Sequence, residues 1–319
     1  MSAPVPVVEI VRSGLVEGRH YGSVVALDPE GETVFSAGDV TGPVYPRSSS
    51  KPLQALGMVE AGLDLPPHQL ALGCASHSGE AMHVEVVREI LAGAGLGEDD
   101  LQCPEDYPLE PRVRDLVLRA DGGPSRVQMN CSGKHAAMLA TCVANGWSTH
   151  DYLSPTHPLQ RAIDATFERL TGEPIAHAAT DGCGAPLLAT SLVGLARAFS
   201  ELALASHGPM SRVADAIRTH PELVSGTERD ERRLLTAVPG AIGKLGAEAV
   251  YVLALRDGRS IALKIDDGGD RARPVLMAGL LDRLGWLDGA DVDRHGALRV
   301  GEHVLFGGGK PVGGLRVCV

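Results

Sequence analysis

The sequence lacks the features that mark secreted, membrane and nucleic-acid-binding proteins. No apolar run in its 319 residues approaches the length of a bilayer span. The first ten residues have neither a positive stretch nor a following apolar core, so the sequence predicts no signal peptide and a cytoplasmic location. A net charge of −11 argues against nucleic acid and anionic membranes as the main partners.

Cysteine is also sparse. Six cysteines are too few for a disulfide scaffold in a chain of this length, and none of them forms a Cys-x-x-Cys pair. They are therefore expected to be free thiols or metal ligands. The composition, 44% apolar and 22% charged, is that of an ordinary globular protein with enough chain for one large domain or two closely packed lobes.

The order of predicted elements puts strands at both ends of the chain and helices between them. We therefore predict an α/β fold with a mixed, largely antiparallel sheet from both chain ends and an inserted helical region. The whole chain would form one catalytic domain, with a sheet lobe at about 1–45 and 240–319 and a helical region at about 46–239. The glycine-rich segment 307–314 predicts a turn-rich loop, because it lacks the Walker spacing of a phosphate-binding loop.

Individual elements follow from residue periodicity and from turn signals. The predicted strands are 7–11, 22–27, 32–36, 248–255 and 260–265. The predicted helices after residue 52 include 81–94, 134–145, 159–171, 187–205, 209–219 and 274–285.

Lysine is scarce, with five against 24 arginines, so the position of each lysine is informative. Ser48 precedes Lys51 by three residues at the start of a predicted helix, because Pro52 suits a first turn. Residues three apart share a helix face, so the Lys51 amine can reach the Ser48 hydroxyl and act as the base for a nucleophilic serine. The alternative is a group of serines that caps a helix beside a solvated lysine.

A second lysine resembles another part of a serine acyl-transfer site. Such sites combine Ser-x-x-Lys with a Ser-Asp-Asn element and a late Lys-Thr-Gly strand. Ser-Asp-Asn is absent, but Lys-Leu-Gly at 244–246 matches the third element in order and context. Lys244 would polarise a second hydroxyl or hold a substrate carboxylate, unless it is a solvated lysine at the entry to a strand. Lys264 competes with Lys244 for this role.

The turn at 74–80 (Cys-Ala-Ser-His-Ser-Gly-Glu) precedes a predicted helix. Turns at the ends of elements present hydroxyl and backbone N–H groups to a cleft, so Ser76 is the candidate for the second hydroxyl. His77 and Glu80 equally suit a role in capping the following helix.

Two cysteines lie in short motifs that contain other metal ligands. Asn-Cys-Ser-Gly-Lys-His at 130–135 opens a predicted helix, and Asp-Gly-Cys-Gly occupies 181–184. Their thiols, lysine and histidine are ligands that suit zinc, with the lysine binding as the neutral amine. Buried structural thiols are the alternative.

Taken together, these motifs resemble one family, the rhizobial-type (class 3) L-asparaginases of the asparaginase II family. The matching stretches are 11–20, 47–52, 75–80, 130–135, 181–184 and 244–248, and the similarity extends from about residue 7 to 317. The resemblance implies a serine β-lactamase/glutaminase-like fold, a homodimer, and hydrolysis of L-asparagine to L-aspartate and ammonia. Leu245 departs from the family, where a small or polar residue is commoner.

The resemblance also implies roles for individual residues. The catalytic residues would be two Ser-Lys pairs, with Ser48 as nucleophile: Ser48 with Lys51, and Ser76 with Lys244. A zinc ion that supports substrate binding, without delivering the nucleophile, would have three ligands: Cys131, Lys134 and Cys183. The residues predicted to bind the substrate, with the aspartate holding the α-ammonium by charge complementarity, are Arg47, His135 and Asp181.

The sequence motifs are also compatible with other functions. The same chemistry serves glutaminases, β-lactamases and peptidases, although the absence of an export signal argues against cell-wall substrates. Outside the enzymes, the alternative is a zinc or amino-acid sensor that keeps the scaffold without catalysis.

Overall fold

The computed structural model describes residues 3–319. Its strands are β1 (Val5–Arg12), β2 (Leu15–Leu27), β3 (Thr33–Ala37), β4 (Ala178–Thr180), β5 (Pro186–Leu188), β6 (Ile242–Gly246), β7 (Val250–Ala254), β8 (Ser260–Ile265), β9 (Val304–Gly307) and β10 (Lys310–Val317). Its α-helices are α1 (Lys51–Glu60), α2 (Pro67–Gly73), α3 (Ala81–Gly93), α4 (Pro111–Arg119), α5 (Ser132–Asn145), α6 (Pro158–Thr171), α7 (Leu192–Leu204), α8 (Gly208–Thr219), α9 (Pro221–Val224), α10 (Asp230–Ala237), α11 (Ala272–Arg283) and α12 (Arg294–Val300).

These elements form two compact units. The first contains the chain up to Ser49 together with Thr190–Leu204 and Arg233–Val319, and the second contains Ser50–Ala189 and Ala205–Arg232. No helix in the described part of the chain has both the length and the apolar character needed to cross a membrane.

The first unit is built on a sheet whose strands come from both ends of the chain. The strand order is β6-β7-β8-β2-β1-β10-β9, and β3 also pairs with β2. Every pairing is antiparallel. All five residues of β7 are buried, and successive side chains of a strand point to opposite faces, so this strand is covered on both sides. Helices α7 and α11 both pack against the sheet.

The second unit is mainly helical. Helix α1 is buried from Lys51 to Val59 and packs against α5, α6 and α8. A Cβ atom at Gly57 would lie only 3.0 Å from the Cα atom of Ile163 in α6, so glycine permits the close crossing of these two helices. The short β4–β5 hairpin completes the unit.

The structure confirms the predicted α/β class and the antiparallel sheet from both chain ends with helices inserted between them. Two local predictions are wrong. The helix predicted at 187–205 begins at Leu192, because Pro186–Leu188 pairs with Ala178–Thr180 as a strand. The glycine-rich segment 307–314 is a hairpin and not a loop. Gly307 ends β9, Gly308 and Gly309, both with positive φ, make the tight turn, and residues 310–314 belong to β10.

Candidate active site

Ser48 lies in a 3-10 helix, Arg47–Ser50, that continues directly into α1 at Lys51. Pro52 occupies the first turn of α1, as predicted. A helical segment thus begins where the sequence signals around Ser48 predict it. Ser48 is half-buried, and its hydroxyl has no hydrogen-bond partner among residues 3–319.

Within the first unit, strand β6 lies against the segment that carries Ser48. The Ser49 hydroxyl donates a hydrogen bond to the Lys244 carbonyl at 2.9 Å. Any Cβ atom at Gly246 would collide with the carbonyl oxygen of Pro46, so glycine permits this close approach. Lys244 itself is fully buried and donates to the Leu245 carbonyl at 3.1 Å, which rules out the alternative of a solvated lysine.

Lys264, the alternative to Lys244, binds two backbone carbonyls in the same unit. Its ammonium donates to the carbonyls of Glu248 at 2.9 Å and Ile265 at 3.2 Å, and partial burial lowers its pKa. The Glu248 carboxylate lies 3.9 Å from the guanidinium of Arg47. Arg47 has φ of 52°, a left-handed conformation that few non-glycine residues adopt, so its backbone is strained immediately before Ser48.

Within the second unit, Lys51 is 1% exposed and has three hydrogen-bond partners. Its Nζ donates to the Ala75 carbonyl at 2.5 Å, to the Ser76 hydroxyl at 3.0 Å and to the Cys131 sulfur at 3.1 Å. A buried serine and a buried lysine are therefore in direct contact. The resemblance pairs Ser76 with Lys244 instead, and that pairing remains a prediction.

The residues after Ser76 support the turn. Glu80 is the N-cap residue of α3, and its N–H donates to Nδ1 of His83, so the capping role considered for Glu80 is confirmed. His77 does not cap the helix: its Nδ1 accepts from Gly79 N–H, and its Nε2 donates to the hydroxyl of Ser132. Burial, with further contributions from His83 and Lys51, lowers the pKa of His77, so the ring is neutral.

The two cysteine motifs come together in the second unit, beside Lys51. Lys134, 1% exposed, donates to the sulfur of Cys183 at 3.1 Å. The Cys183 sulfur also lies 3.9 Å from Oδ2 of Asp181 in the β4–β5 turn. Asp181, Lys134 and Cys183 thus lie together in this unit, and Cys131 lies beside Lys51.

Charge is unevenly distributed in this cluster. The neighbouring Cys131 thiol lowers the pKa of Cys183, and the Lys134 ammonium adds to this effect against the opposing effect of burial. The neighbouring Cys183 sulfur, together with burial, raises the pKa of Cys131. Burial acts to lower the pKa of Lys134, but the two sulfurs outweigh it and raise that pKa. These shifts favour negative charge on Cys183 over Cys131 and positive charge on Lys134.

The donor chemistry of this cluster fits zinc. Among residues 3–319, no group of three or more His, Cys, Asp and Glu side chains has the arrangement of a metal site, so a site here needs the lysine as a ligand. Thiolates and imidazole are ligands that zinc prefers. Nε2 of His135 is buried without a hydrogen-bond partner among the described residues, so this nitrogen can offer its electron pair to a metal ion.

Sequence reasoning missed three contributors to the site. The Tyr152 hydroxyl contacts Nδ1 of His135 at 2.8 Å and fixes the ring. Cys103 is buried close enough to Cys183 that burial and this neighbour raise its pKa to about 11. The segment 224–227 packs on the Ser76 turn through a hydrogen bond from Ser76 N–H to the Val224 carbonyl. None of the three carries a spacing signal, because each contact joins distant parts of the chain.

Comparison with known proteins identifies the class and then the family. Residues 8–317 match the family model described as L-asparaginase II. The protein is an amidohydrolase. It belongs to the L-asparaginase II family, as the sequence motifs predict. No curated protein sequence matches the chain.

Several solved structures are similar to this chain at low identity. A β-lactamase from Mycobacterium bovis is 17% identical, with a TM-score of 0.47, and the match covers 82% of this chain and 94% of that one. The hydrolase EstCE1, which has promiscuous acyltransferase activity, is 13% identical, with a TM-score of 0.37 and coverage of 83% and 90%. Mglu in its native form is 16% identical, with a TM-score of 0.37 and coverage of 83% and 64%. The family assignment rests on the sequence match.

Proposed function

We propose that this amidohydrolase hydrolyses L-asparagine to L-aspartate and ammonia through an acyl-enzyme on Ser48. The observation that carries the proposal is the contact of 3.0 Å between Lys51 and Ser76, with Lys51 three residues from Ser48. A lysine that is buried among acceptors, contacts the hydroxyl of Ser76 and follows Ser48 by three residues in the chain is a candidate for moving protons in such a reaction. The family match supports the amide substrate.

In the proposed mechanism, Oγ of Ser48 attacks the side-chain amide carbon of asparagine while neutral Lys51 takes the hydroxyl proton. Backbone N–H groups of Ser48 and of the strand that carries Lys244 would stabilise the oxyanion. The C–N bond then breaks, a proton passes to the nitrogen, and ammonia leaves. Water finally hydrolyses the ester and releases aspartate from Ser48.

The substrate would be held by three polar residues. Asp181 would take the α-ammonium, and Arg47 and His135 would bind the remaining polar groups of the amino acid. The homodimer expected from the resemblance remains a prediction.

The proposal is tested by measuring ammonia release from asparagine and glutamine and hydrolysis of nitrocefin, each with and without added zinc. We expect turnover of asparagine well above that of glutamine and no hydrolysis of nitrocefin. Preferred hydrolysis of glutamine would replace the substrate assignment. Thermal stabilisation by asparagine without any release of ammonia would identify a sensor instead of an enzyme.

Lys244 and Lys264 can be separated by the same substitution at each position. We expect Lys244→Met to lower kcat/KM by about 100-fold or more, because it removes a buried ammonium from the strand beside Ser48. Lys264→Met should change kcat/KM by less than about threefold, because Lys264 donates to the backbone carbonyls of Glu248 and Ile265. Steady-state kinetics of the two variants measures the difference, and the reverse order of effects would assign the role to Lys264.

Zinc would be held by Cys131, Lys134 and Cys183, where it would supply positive charge that keeps the thiols ionised and supports substrate binding. We expect purified protein to contain about one zinc per chain, and Cys131→Ala to contain almost none. Cys142→Ala is the matched control, since Cys142 is a buried cysteine on α5, the helix that Cys131 precedes, and lies outside the proposed ligand set. Elemental analysis measures the zinc content. A wild-type protein prepared without chelators that contains no zinc would contradict the metal site.

A further inference from the structure

The turn that carries Ser76 is held from one side by a second segment of the same unit. Ser76 N–H donates to the Val224 carbonyl at 3.1 Å, and the Ser78 hydroxyl donates to the Ser225 carbonyl at 2.9 Å. Gly226 has φ of 144°, and a Cβ atom there would overlap the Ser78 hydroxyl. Glycine is therefore required for the two backbones to lie this close.

Glu80 and Thr227 form a further contact between the Ser76 turn and segment 224–227. Oε1 of Glu80 accepts from Thr227 N–H at 2.9 Å, and Oε2 accepts from the Thr227 hydroxyl at 2.9 Å. Both carboxylate oxygens are thus used on one residue, which fixes its orientation as well as its distance. Nearby, Nε2 of His83 donates a hydrogen bond to the Glu222 carbonyl at 3.0 Å.

The contact determines where the Ser76 hydroxyl lies. The backbone N–H of Ser76 donates to segment 224–227, and its Oγ lies 3.0 Å from Nζ of Lys51. A shift of the segment would therefore move Ser76 relative to the lysine. Reacting groups tolerate such shifts poorly, because displacement by about 1 Å can lower a rate about 100-fold.

We propose that the Glu80–Thr227 pair is a positioning device that holds Ser76 against Lys51, and that Thr227 is a positioning residue for the reaction. The inference rests on the proposed function, since it assigns Ser76 and Lys51 to the chemistry. Thr227 itself is distinct from the groups proposed to exchange protons: its hydroxyl is engaged by Glu80. Its effect on the rate would pass through the backbone of the Ser76 turn.

The test compares three variants of buried or half-buried threonines. Thr227→Val removes the hydroxyl at nearly constant volume, and Thr227→Ser restores it. Thr166→Val is the matched control, because the Thr166 hydroxyl donates to Glu60 at 2.7 Å in the same unit, a bond of the same chemistry between α6 and α1.

Positioning predicts a specific kinetic pattern. Thr227→Val should lower kcat for asparagine by about 10- to 100-fold with KM changed by less than about threefold, and Thr227→Ser should return kcat to within about threefold of the wild type. Thr166→Val should lower the melting temperature without lowering kcat. If Thr227→Val lowers the melting temperature to the same extent and keeps the wild-type kcat, the pair is structural only and the inference is overturned.

Amide hydrogen exchange tests the inference independently of activity. In Thr227→Val, or in Glu80→Gln should that variant fold better, peptides that contain the Ser76 and Thr227 amides should exchange at least about tenfold faster than in the wild type. Unchanged protection at Ser76 overturns the positioning role. A wild-type protein without any amidohydrolase turnover overturns the proposed function instead, and the exchange result still reports whether Glu80 and Thr227 hold the turn.

Discussion

Ser48→Ala is expected to lower kcat for asparagine by about 10⁴-fold or more, because the variant has no nucleophile for the acyl-enzyme. The fold should be unaffected, since the Ser48 hydroxyl has no hydrogen-bond partner among the described residues and alanine suits a helix. The measurements are steady-state ammonia release and thermal unfolding of the same preparation.

Ser49→Ala is the matched control for this substitution. Ser49 is the next residue, and its buried hydroxyl donates to the Lys244 carbonyl, so its loss should destabilise the protein by about 1 kcal/mol. The two neighbours should therefore respond in opposite ways: Ser48→Ala inactive but stable, Ser49→Ala less stable but active. Near-normal kcat in Ser48→Ala would contradict the nucleophile assignment and would direct attention to Ser76.

Lys51→Met is the second substitution with a large expected effect. Methionine fills most of the lysine volume but cannot accept or deliver a proton, so kcat should fall by about 10²- to 10⁴-fold. The variant also leaves the Ala75 carbonyl without its ammonium donor, so some loss of stability is expected. Lys264→Met controls for the removal of a partly buried lysine that donates to backbone carbonyls.

The two substitutions together identify the acceptor of the proton. If Lys51→Met keeps a kcat within about threefold of the wild type, another group takes the Ser48 proton, and the contact between Lys51 and Ser76 would be structural. Added primary amines offer a further check. A small amine would restore kcat of Lys51→Met only if it can enter the site and take the place of the lost lysine amine. Rescue of Ser48→Ala by the same amine is not expected.

The helix start at Ser48 could be predicted because its signals are local. A proline in the first turn and a serine three residues from a lysine act within one helical turn, and the structure has the 3-10 helix and α1 where these signals put them. The same holds for the predicted strands, since residue periodicity and turn signals act within each segment. The β9–β10 hairpin was missed because its glycines weaken the strand signal, although they suit the turn.

Contacts between distant segments needed other information. Lys134 and Cys183 are 49 residues apart, and no spacing rule joins a residue at a helix start to a hairpin turn. The ligand types of the two motifs suggested a shared metal site, and the family resemblance selected its three ligands. The contact between Glu80 and Thr227 spans 147 residues and was not foreseen. Its one sequence signal is Gly226, a glycine between two hydroxyl residues, which becomes informative only when Ser78 is known to lie against it.

The burial of lysine has a practical consequence for handling the protein. Lys51, Lys134 and Lys244 are at most 1% exposed, and Lys264 is held on two carbonyls, so Lys310 on β10 is the exposed lysine of the five. Arginines supply most of the remaining positive charge at the surface. Coupling through lysine amines to a solid support or a dye would therefore attach the protein by the β9–β10 hairpin and spare every lysine in the chemistry.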